Sequence, residues 1–286
     1  MSRAPKMSTG HGGPAWSWQF DLEVIRNLPR LYPIEHLSEE WAWGGSGGKG
    51  IRVAVIDSGI DAQHPAIGAV QGYVAIKQVA NELVFDSSQH ADLYGHGTAC
   101  AGIIRAAAPE CELYSIQVLG SRLTSEGAVF AAGIRWAVEH KMHVCNLSLG
   151  TTKKHYYVVL HELADSAYHR NMMLVTAANN SPVPSYPSMY ASVFSVAAHG
   201  IPNSSSFFYN PKPPVEFGAP GIDVRVPWQN GDWIKATGNS FAAPYITGIV
   251  ARILGKHPEL TVFQMKSILR ALAANVIPAV DEREDS

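Results

Sequence analysis

Four short runs of apolar residues, each bounded by polar or turn-forming residues, dominate the hydrophobic pattern of the chain. They cover residues 51–56, 113–118, 144–149 and 172–178. Runs of this length are typical of strands buried on both faces of a parallel sheet. Longer amphipathic stretches lie between and after them and predict helices over residues 96–107, 125–140, 156–170, 240–255 and 261–275. This alternation indicates an α/β fold in which helices cover both faces of a mainly parallel sheet.

The chain is organised as one large domain with short flanks. No linker rich in Pro, Gly or Ser interrupts it after residue 50, and a chain of 286 residues that is 47% hydrophobic can bury a substantial core. We therefore expect an N-terminal extension at residues 1–45, a folded domain at residues 46–278 and an acidic tail at residues 279–286. Residues 1–13 are rich in Gly, Pro and Ser and are expected to be disordered.

Charge, hydropathy and cysteine content limit the expected classes of partner and indicate the cellular compartment. The formal net charge is −2, so we expect neither nucleic acid nor an anionic membrane as a partner. No apolar run approaches the roughly 18 residues of a membrane span, and the first ten residues carry charge without the apolar core of a secretory signal. Three cysteines, Cys100, Cys111 and Cys145, have apolar or small neighbours, which favours buried thiols over disulfides. Together these features predict a cytoplasmic protein.

Three separate segments supply candidate catalytic side chains. Asp57 ends the first apolar run, His96 stands between two glycines, and Ser240 opens a predicted helix. Such a set can hydrolyse peptide bonds, because serine attacks the carbonyl, histidine carries the proton and aspartate orients the histidine. Asp57 is predicted at the carboxyl end of a strand, where open α/β sheets bind ligands. A serine at the start of a helix also has an unpaired backbone N–H for a developing oxyanion.

The order Asp, His, Ser along the chain, with the motifs around it, resembles the subtilisin-like serine proteases, or subtilases. The resemblance runs from about residue 51 to about residue 272 and includes Val118-Leu119-Gly120, Asn146-Leu147-Ser148-Leu149-Gly150, Ala177-Ala178-Asn179-Asn180, Tyr186-Pro187-Ser188 and Phe217-Gly218-Ala219-Pro220-Gly221. It implies a three-layer subtilisin-like fold. It also implies a serine endopeptidase that works through an acyl-enzyme on peptide or protein substrates, without a cofactor, with Asp57, His96 and Ser240 as its triad.

By the same resemblance, the side-chain amide of Asn180 is the second oxyanion donor, with the adjacent Asn179 as the alternative. The chain departs from the family at Asn179, where Gly is usual, and at Asn239, where Thr is usual. Asn tolerates left-handed backbone angles better than most residues, so we expect the turn at Asn179 to be kept. We expect Asn239 to alter contacts on the leaving-group side without removing a catalytic atom.

Subtilases bind substrate as an added strand between two edge segments. The matching segments here are Leu123-Thr124-Ser125 and Ser148-Leu149-Gly150. The second segment and Ala178 are also expected to wall the pocket for the substrate residue before the scissile bond. No acidic residue lies between Asn180 and Tyr186, so we expect no requirement for a basic residue in this pocket.

Several other polar residues have structural interpretations. We expect His64 to be a turn residue, and His90 and Asp92 to lie in a solvated loop. Cys100 follows His96 by one helical turn and is expected to pack beneath the histidine. Three further histidines are expected on the surface, at positions His155, His161 and His169.

Two accessories of secreted subtilases have no counterpart in the sequence. The connection from Gly102 to Pro109 is too short for their calcium-binding loop, and no carboxylate cluster suggests a replacement, so we expect no bound metal. The roughly fifty residues before the first strand are too few for their propeptide chaperone. Both features resemble intracellular subtilases and favour dedicated processing or regulated proteolysis. Residues 28–34 are either an inhibitory strand across the active site or a strap on the back of the domain.

Two other functions stay open at this point. The first is a catalytically silent pseudoprotease, which keeps the groove and binds a peptide without cleaving it. The second is a protease subunit of a larger regulatory or defence assembly, with partner proteins that the sequence does not identify.

Overall fold

A computed structural model of the protein describes residues 22–27, 37–202 and 205–276. The chain divides after residue 36 into two compact units. The described part of the first unit is one short helix, and the second unit contains all other described elements. The expectations for residues 1–13, for residues 28–34 and for the acidic tail lie outside the described residues. The boundaries 1–45, 46–278 and 279–286 stay a prediction.

The helices and strands agree with the hydrophobic pattern over the predicted core elements. The strands are β1 (Arg52–Asp57), β2 (Val70–Val79), β3 (Glu82–Asp86), β4 (Glu112–Gln117), β5 (Val144–Leu147), β6 (Met173–Ala177), β7 (Phe194–His199), β8 (Phe208–Tyr209), β9 (Phe217–Pro220), β10 (Val224–Pro227) and β11 (Trp233–Ala236). The helices are α1 (Leu22–Asn27), α2 (Glu39–Trp43), α3 (His96–Ala107), α4 (Gly127–Glu139), α5 (Tyr157–His169), α6 (Asn239–Lys256) and α7 (Val262–Leu272).

Within the described residues, nine strands form one sheet in the order β3-β2-β4-β1-β5-β6-β7-β9-β8. The seven inner strands, from β2 to β9, run parallel. The edge strands β3 and β8 are antiparallel to their neighbours, and β10 and β11 form a separate hairpin. The predicted mainly parallel sheet is confirmed.

Successive side chains of the central strands point into two different hydrophobic cores. Val53 and Val55 of β1 pack in a core that includes buried residues of α3, α6 and α7. Ala54 and Ile56 face the opposite core, which is built with α4 and α5. Because strand side chains alternate between faces, these near-continuous apolar runs need a helical layer on each side. The three-layer architecture is therefore confirmed.

Helix α6 carries the predicted nucleophile and is the central helix of its layer. It is buried along most of its length and contacts α3 together with the strands β5, β6, β7 and β9. Its first turn lies where β5 and β6 end, so residues at its start meet the loops that follow these strands. No helix in the described part of the chain is long and apolar enough to cross a bilayer.

Candidate active site

Asp57 and His96 meet at the carboxyl end of β1. Asp57 is the last residue of β1 and fully buried, while His96 is the first residue of α3 and 8% exposed. Nδ1 of His96 lies 2.9 Å from both Oδ1 and Oδ2 of Asp57. The main-chain N–H of Ser58 also donates to Oδ1 of Asp57, at 2.8 Å. With Nδ1–H donated to the carboxylate, the neutral imidazole keeps Nε2 free to accept a proton.

The glycines on either side of His96 allow α3 to begin against the loop after β1. Gly95 has a φ of 113°, in the left-handed region that favours glycine. A Cβ on Gly97 would lie 2.0 Å from the carbonyl oxygen of Gly59, which leaves no room for any side chain. The Gly-His-Gly sequence is therefore a steric requirement for bringing His96 to Asp57.

Asp92 is buried, at 7% exposure, so the expectation of a solvated loop was wrong for this residue. Its Oδ1 accepts hydrogen bonds from the hydroxyl of Ser58 at 2.7 Å and from the N–H groups of Tyr94 and Gly95 at 2.9 and 2.8 Å. Its Oδ2 accepts from the N–H and hydroxyl of Thr98 at 2.8 and 2.6 Å. A carboxylate here caps the start of α3 and suits the helix dipole. The bond to Ser58 joins that cap to the residue after Asp57.

His90 and His64, which the sequence did not assign to catalysis, both have structural contacts. His90 is half-buried, with Nε2 2.9 Å from the hydroxyl of Ser115, and burial lowers the pKa of its imidazole. It therefore packs on the sheet and does not lie in a solvated loop, because the residues before α3 fold back over the end of β4. His64 lies in a turn as predicted, buried with Nδ1 accepting from the N–H of Ala66 and Nε2 donating to the carbonyl of Asp232.

Ser240 is the second residue of α6, and Pro244 lies one turn later. Proline has no N–H, so the carbonyl of Ser240 lacks its helical donor. The hydroxyl of Ser148 donates to this carbonyl at 2.7 Å. Behind it, the amide of Asn146 donates to Oγ of Ser148 at 3.0 Å, and the hydroxyl of Thr247 donates to Oδ1 of Asn146 at 2.9 Å. This chain of hydrogen bonds fixes the main chain of Ser240 to the end of β5.

The side chains of Ser240 and Asn180 border a common space beside Gly238. A Cβ on Gly238 would lie 3.2 Å from Oγ of Ser240 and 3.5 Å from Nδ2 of Asn180. The main-chain N–H of Asn239 donates to Oδ1 of Asn180 at 2.9 Å, which leaves Nδ2 as the atom nearer this space. Oδ1 of Asn179 instead accepts a hydrogen bond from the main-chain N–H of Ser181 at 2.8 Å. Its φ is not positive, so this turn does not use the left-handed angles that asparagine tolerates.

The predicted groove residues lie along the same edge of the sheet. The strands β4 and β5 flank β1, so the segments that follow them lie on either side of Asp57. Residues 123–125 begin with Leu123 at a φ of 52°, and the N–H of Gly120 closes this turn onto the carbonyl of Thr124 at 3.1 Å. Residues 148–150 follow β5, and half-buried Ala178 follows β6.

Burial and nearby charges have opposite effects on the pKa of His96. Burial by itself lowers the pKa of His96, but the interactions with the carboxylate of Asp57 and with Cys100 together raise it, so the pKa lies well above the ordinary histidine value. Burial raises the pKa of the Cys100 thiol, which therefore stays protonated. The sulfur packs beneath the histidine as predicted, 3.9 Å from Nδ1 of His96 and 3.8 Å from Oδ2 of Asp57.

One group of three potential metal ligands occurs among the described residues. It consists of Asp57, His96 and Cys100, whose ligand atoms lie within 4.8 Å of one another. Asp57 and His96 are already hydrogen-bonded to each other, and a protonated thiol is a poor metal ligand. These three side chains fit a hydrogen-bonded network better than a metal site, and we assign no metal to them.

Comparisons with known proteins identify the family of the chain. The family model of the subtilases, Peptidase S8, matches residues 48–284. Minor extracellular protease Epr of Bacillus subtilis is 32% identical over 83% of the chain, which spans 37% of the length of that protein. Subtilisin DY of Bacillus licheniformis is 30% identical over 81% of the chain and 86% of its own length.

A solved structure extends the likeness to the fold. The crystal structure of a cold adapted subtilisin-like serine proteinase matches with a TM-score of 0.66 at 22% identity, and the match covers 79% of this chain and 83% of that one. The three-layer fold is therefore subtilisin-like. Together with the match to the family over most of the chain, this establishes that the protein belongs to the subtilase family of serine peptidases.

Proposed function

We propose that this protein is a serine endopeptidase with Asp57, His96 and Ser240 as its catalytic triad. The observation that carries the proposal is the buried pair at the end of β1, in which both carboxylate oxygens of Asp57 lie 2.9 Å from Nδ1 of His96. This contact sets the tautomer that a general base requires. The membership of the subtilase family supports the same reaction class.

In the proposed mechanism, Oγ of Ser240 attacks the scissile carbonyl and Nε2 of His96 takes the serine proton. The carboxylate of Asp57 stabilises the imidazolium that forms. The oxyanion lies beside Gly238, within reach of Nδ2 of Asn180. The main-chain N–H of Ser240 is the other donor, since it has no acceptor within the described residues. The imidazolium then returns its proton to the leaving amine, and water hydrolyses the acyl-enzyme by the reverse sequence.

For substrate, we propose an extended peptide that pairs with residues 123–125 and 148–150. Their positions on either side of the end of β1 support this arrangement. The pocket loop after Asn180 contains Ser, Pro and Val without an acidic residue, so a basic side chain before the scissile bond has no counter-charge there. Ala178 at its wall leaves room for an uncharged side chain.

For its role, we propose dedicated processing or regulated proteolysis in the cytoplasm. Three free, buried cysteines support this compartment, because unpaired thiols are typical of reducing environments. One relative is named as an extracellular protease, which makes the compartment a direct experimental question. The alternatives are a pseudoprotease that binds peptides without cleavage and a protease subunit that needs a partner protein.

A fluorophosphonate probe tests the proposal, because it labels only an activated serine. The wild-type chain should be labelled and should cleave a peptide library, while Ser240→Ala should do neither. Ser267→Ala, which changes an exposed serine of α7 away from the proposed site, is the matched control and should behave as wild type. Adding His96→Ala to Ser240→Ala should cost little more, since triad members act as a unit. Cleavage by Ser240→Ala would disprove the assignment.

The same probe separates the alternatives. A folded wild-type chain that binds peptides but takes no label is a pseudoprotease. A chain that takes label only after a cell extract is added is a partner-dependent subunit. Cleavage sites mapped across a proteome would then define the substrate class.

A further inference from the structure

The ladder between β6 and β7 is interrupted beside the active site. The two strands pair up to Ala177 and Val196, and the N–H of Ala178 donates to the carbonyl of Val196 at 2.8 Å. In a continued parallel ladder, the next bond would run from the N–H of Ala198 to the carbonyl of Ala178. Both groups bond to the side chain of Asn239 instead, Ala198 N–H to Oδ1 at 2.8 Å and Nδ2 to Ala178 O at 3.2 Å. The side-chain amide of Asn239 thus takes the place of one hydrogen bond of the ladder.

The same residue also holds the two positions that follow β6. Nδ2 of Asn239 donates to the carbonyl of Asn179 at 3.0 Å, and its main-chain N–H donates to Oδ1 of Asn180 at 2.9 Å. Three consecutive residues, Ala178 to Asn180, are therefore bound to the residue that precedes Ser240. Asn180 is exposed, and this is the one hydrogen bond that its side chain makes to a described residue. An exposed amide with a single bond depends on that bond for its orientation.

The two positions at which this chain departs from the family contact each other. Asn239 replaces the usual Thr, Asn179 replaces the usual Gly, and the amide of the first binds the carbonyl of the second. A threonine hydroxyl has one hydrogen to donate, whereas the amide donates twice and accepts on a different atom. Threonine at position 239 cannot bridge Ala198, Ala178 and Asn179 together. The side chain of Asn239 points between the strands, and its expected effect on the leaving-group side stays a prediction.

We infer that Asn239 is a positioning residue that sets the place of the Asn180 amide relative to Ser240. It does so by holding β6 and β7 apart and by fixing the main chain of the turn at Asn179. The inference rests on the proposed function of Asn180 as an oxyanion donor. The side chain of Asn239 acts through its hydrogen bonds to the main chain of Ala198, Ala178 and Asn179.

Kinetics of Asn239 variants test this role. Asn239→Asp keeps the size and the acceptor for Ala198 but turns an oxygen toward two carbonyls, and Asn239→Thr restores the usual family residue. Both should lower kcat by about 10-fold or more, because small displacements of a positioned group are costly, while KM changes by less than about 3-fold. In an Asn180→Ala background, the same substitutions should change kcat by less than about 3-fold. Asn81→Asp, in the exposed turn between β2 and β3, is the control.

Hydrogen exchange at the main-chain amide of Ala198 gives a readout that does not need activity. This N–H should exchange at least about 10-fold faster in Asn239→Ala, which removes its acceptor, while the amides of β1 keep their protection. Unchanged exchange at Ala198, or an equal loss of kcat with and without Asn180, would overturn the inference. An inactive wild-type chain with faster exchange in the variant would instead refute the proposed function and leave the structural role of Asn239 in place.

Discussion

The hydroxyl of Ser148 donates a 2.7 Å hydrogen bond to the carbonyl oxygen of Ser240. It replaces the helical donor that Pro244 lacks, so a side chain from the end of β5 completes the first turn of α6. The thiol of Cys100 lies 3.6 Å from the same carbonyl and is the weaker partner. The main chain of the proposed nucleophile is thus fixed by the adjacent strand.

Ser148→Ala should lower kcat by about 3- to 10-fold, since one hydrogen bond contributes about 0.5–1.5 kcal/mol. The melting temperature should also fall, because the amide of Asn146 loses its acceptor. Adding Pro244→Ala supplies a backbone N–H to Ser240 and should restore kcat while the melting temperature stays low. Steady-state kinetics and calorimetry on the single and double variants measure both effects. If kcat does not recover in the double variant, Ser148 does not replace the helical donor that Pro244 lacks.

Asp92→Asn should destabilise the fold and slow catalysis together. The buried carboxylate accepts five hydrogen bonds, and an amide can accept at only one of its two positions. We expect the free energy of unfolding to fall by about 2–4 kcal/mol and α3 to lose its fixed start beside Asp57. Asp86→Asn, at an exposed carboxylate in β3, is the control and should leave the denaturation midpoint unchanged. Equal midpoints for both variants would disprove the role of Asp92.

Activity should rise with pH along a limb set by His96, because only the neutral imidazole accepts the serine proton. Since Asp57 raises the pKa of His96 above the usual value of about 6.5, the midpoint of kcat/KM should lie above 6.5. Asp57→Asn removes that charge and should shift the midpoint of the residual activity to lower pH. Asp165→Asn, which removes an exposed carboxylate 3.5 Å from His161, should leave the profile in place. A profile that is flat from pH 5 to pH 9 would exclude His96 as the base.

The three cysteines should resist thiol reagents while the protein is folded. Each is buried, and burial raises the pKa of all three thiols, that of Cys111 to about 11. Thiolate is the reactive form, so little of it is present at pH 8. Titration with an aromatic disulfide should detect no fast-reacting thiol in the native state and three per chain in guanidinium chloride. A fast thiol in the native protein would show that one of these residues is accessible.

Calcium should leave the melting temperature unchanged. Helix α3 runs without interruption to Ala107, and β4 begins at Glu112, so the connection holds only a short turn. A ligand stabilises a protein only if it binds the folded state, in proportion to RT ln(1 + [L]/Kd). Thermal unfolding in millimolar calcium and in chelator measures this directly. A rise that chelator reverses would reveal a calcium site.

The core strands could be predicted because they are mostly apolar, and the core helices because they are amphipathic. Each predicted strand and helix overlaps an observed one. The strands β2, β3 and β7 to β11 were not predicted. Strand β3 lies in solvent, with Leu83, Val84 and Phe85 exposed, and β2 is buried only in its middle, so neither has the pattern of a buried strand. Strands β8 to β11 have only two to four residues each, too few for a hydrophobic pattern. Strand β5 ends at Leu147, two residues before the end of the predicted strand 144–149, since the side chain of Ser148 turns toward α6.

The candidate site was predictable where local motifs carry it and unpredictable where long-range contacts do. Asp57, His96 and Ser240 each have a distinctive local sequence. Asp92 has none, since its burial results from donors that the fold brings to it. Asn146 offered one usable signal, a polar residue inside an apolar run, which indicates a buried hydrogen-bond network.

The position of α6 after all the strands of the sheet has a consequence for synthesis on the ribosome. Asp57 and His96 emerge before the helix that carries Ser240 and covers β5, β6, β7 and β9. Domains generally fold as units once their core is available. A nascent chain therefore has neither nucleophile nor a closed core until α6 has been translated. The proposed protease cannot cut its own growing chain or the chains of neighbouring ribosomes before that point.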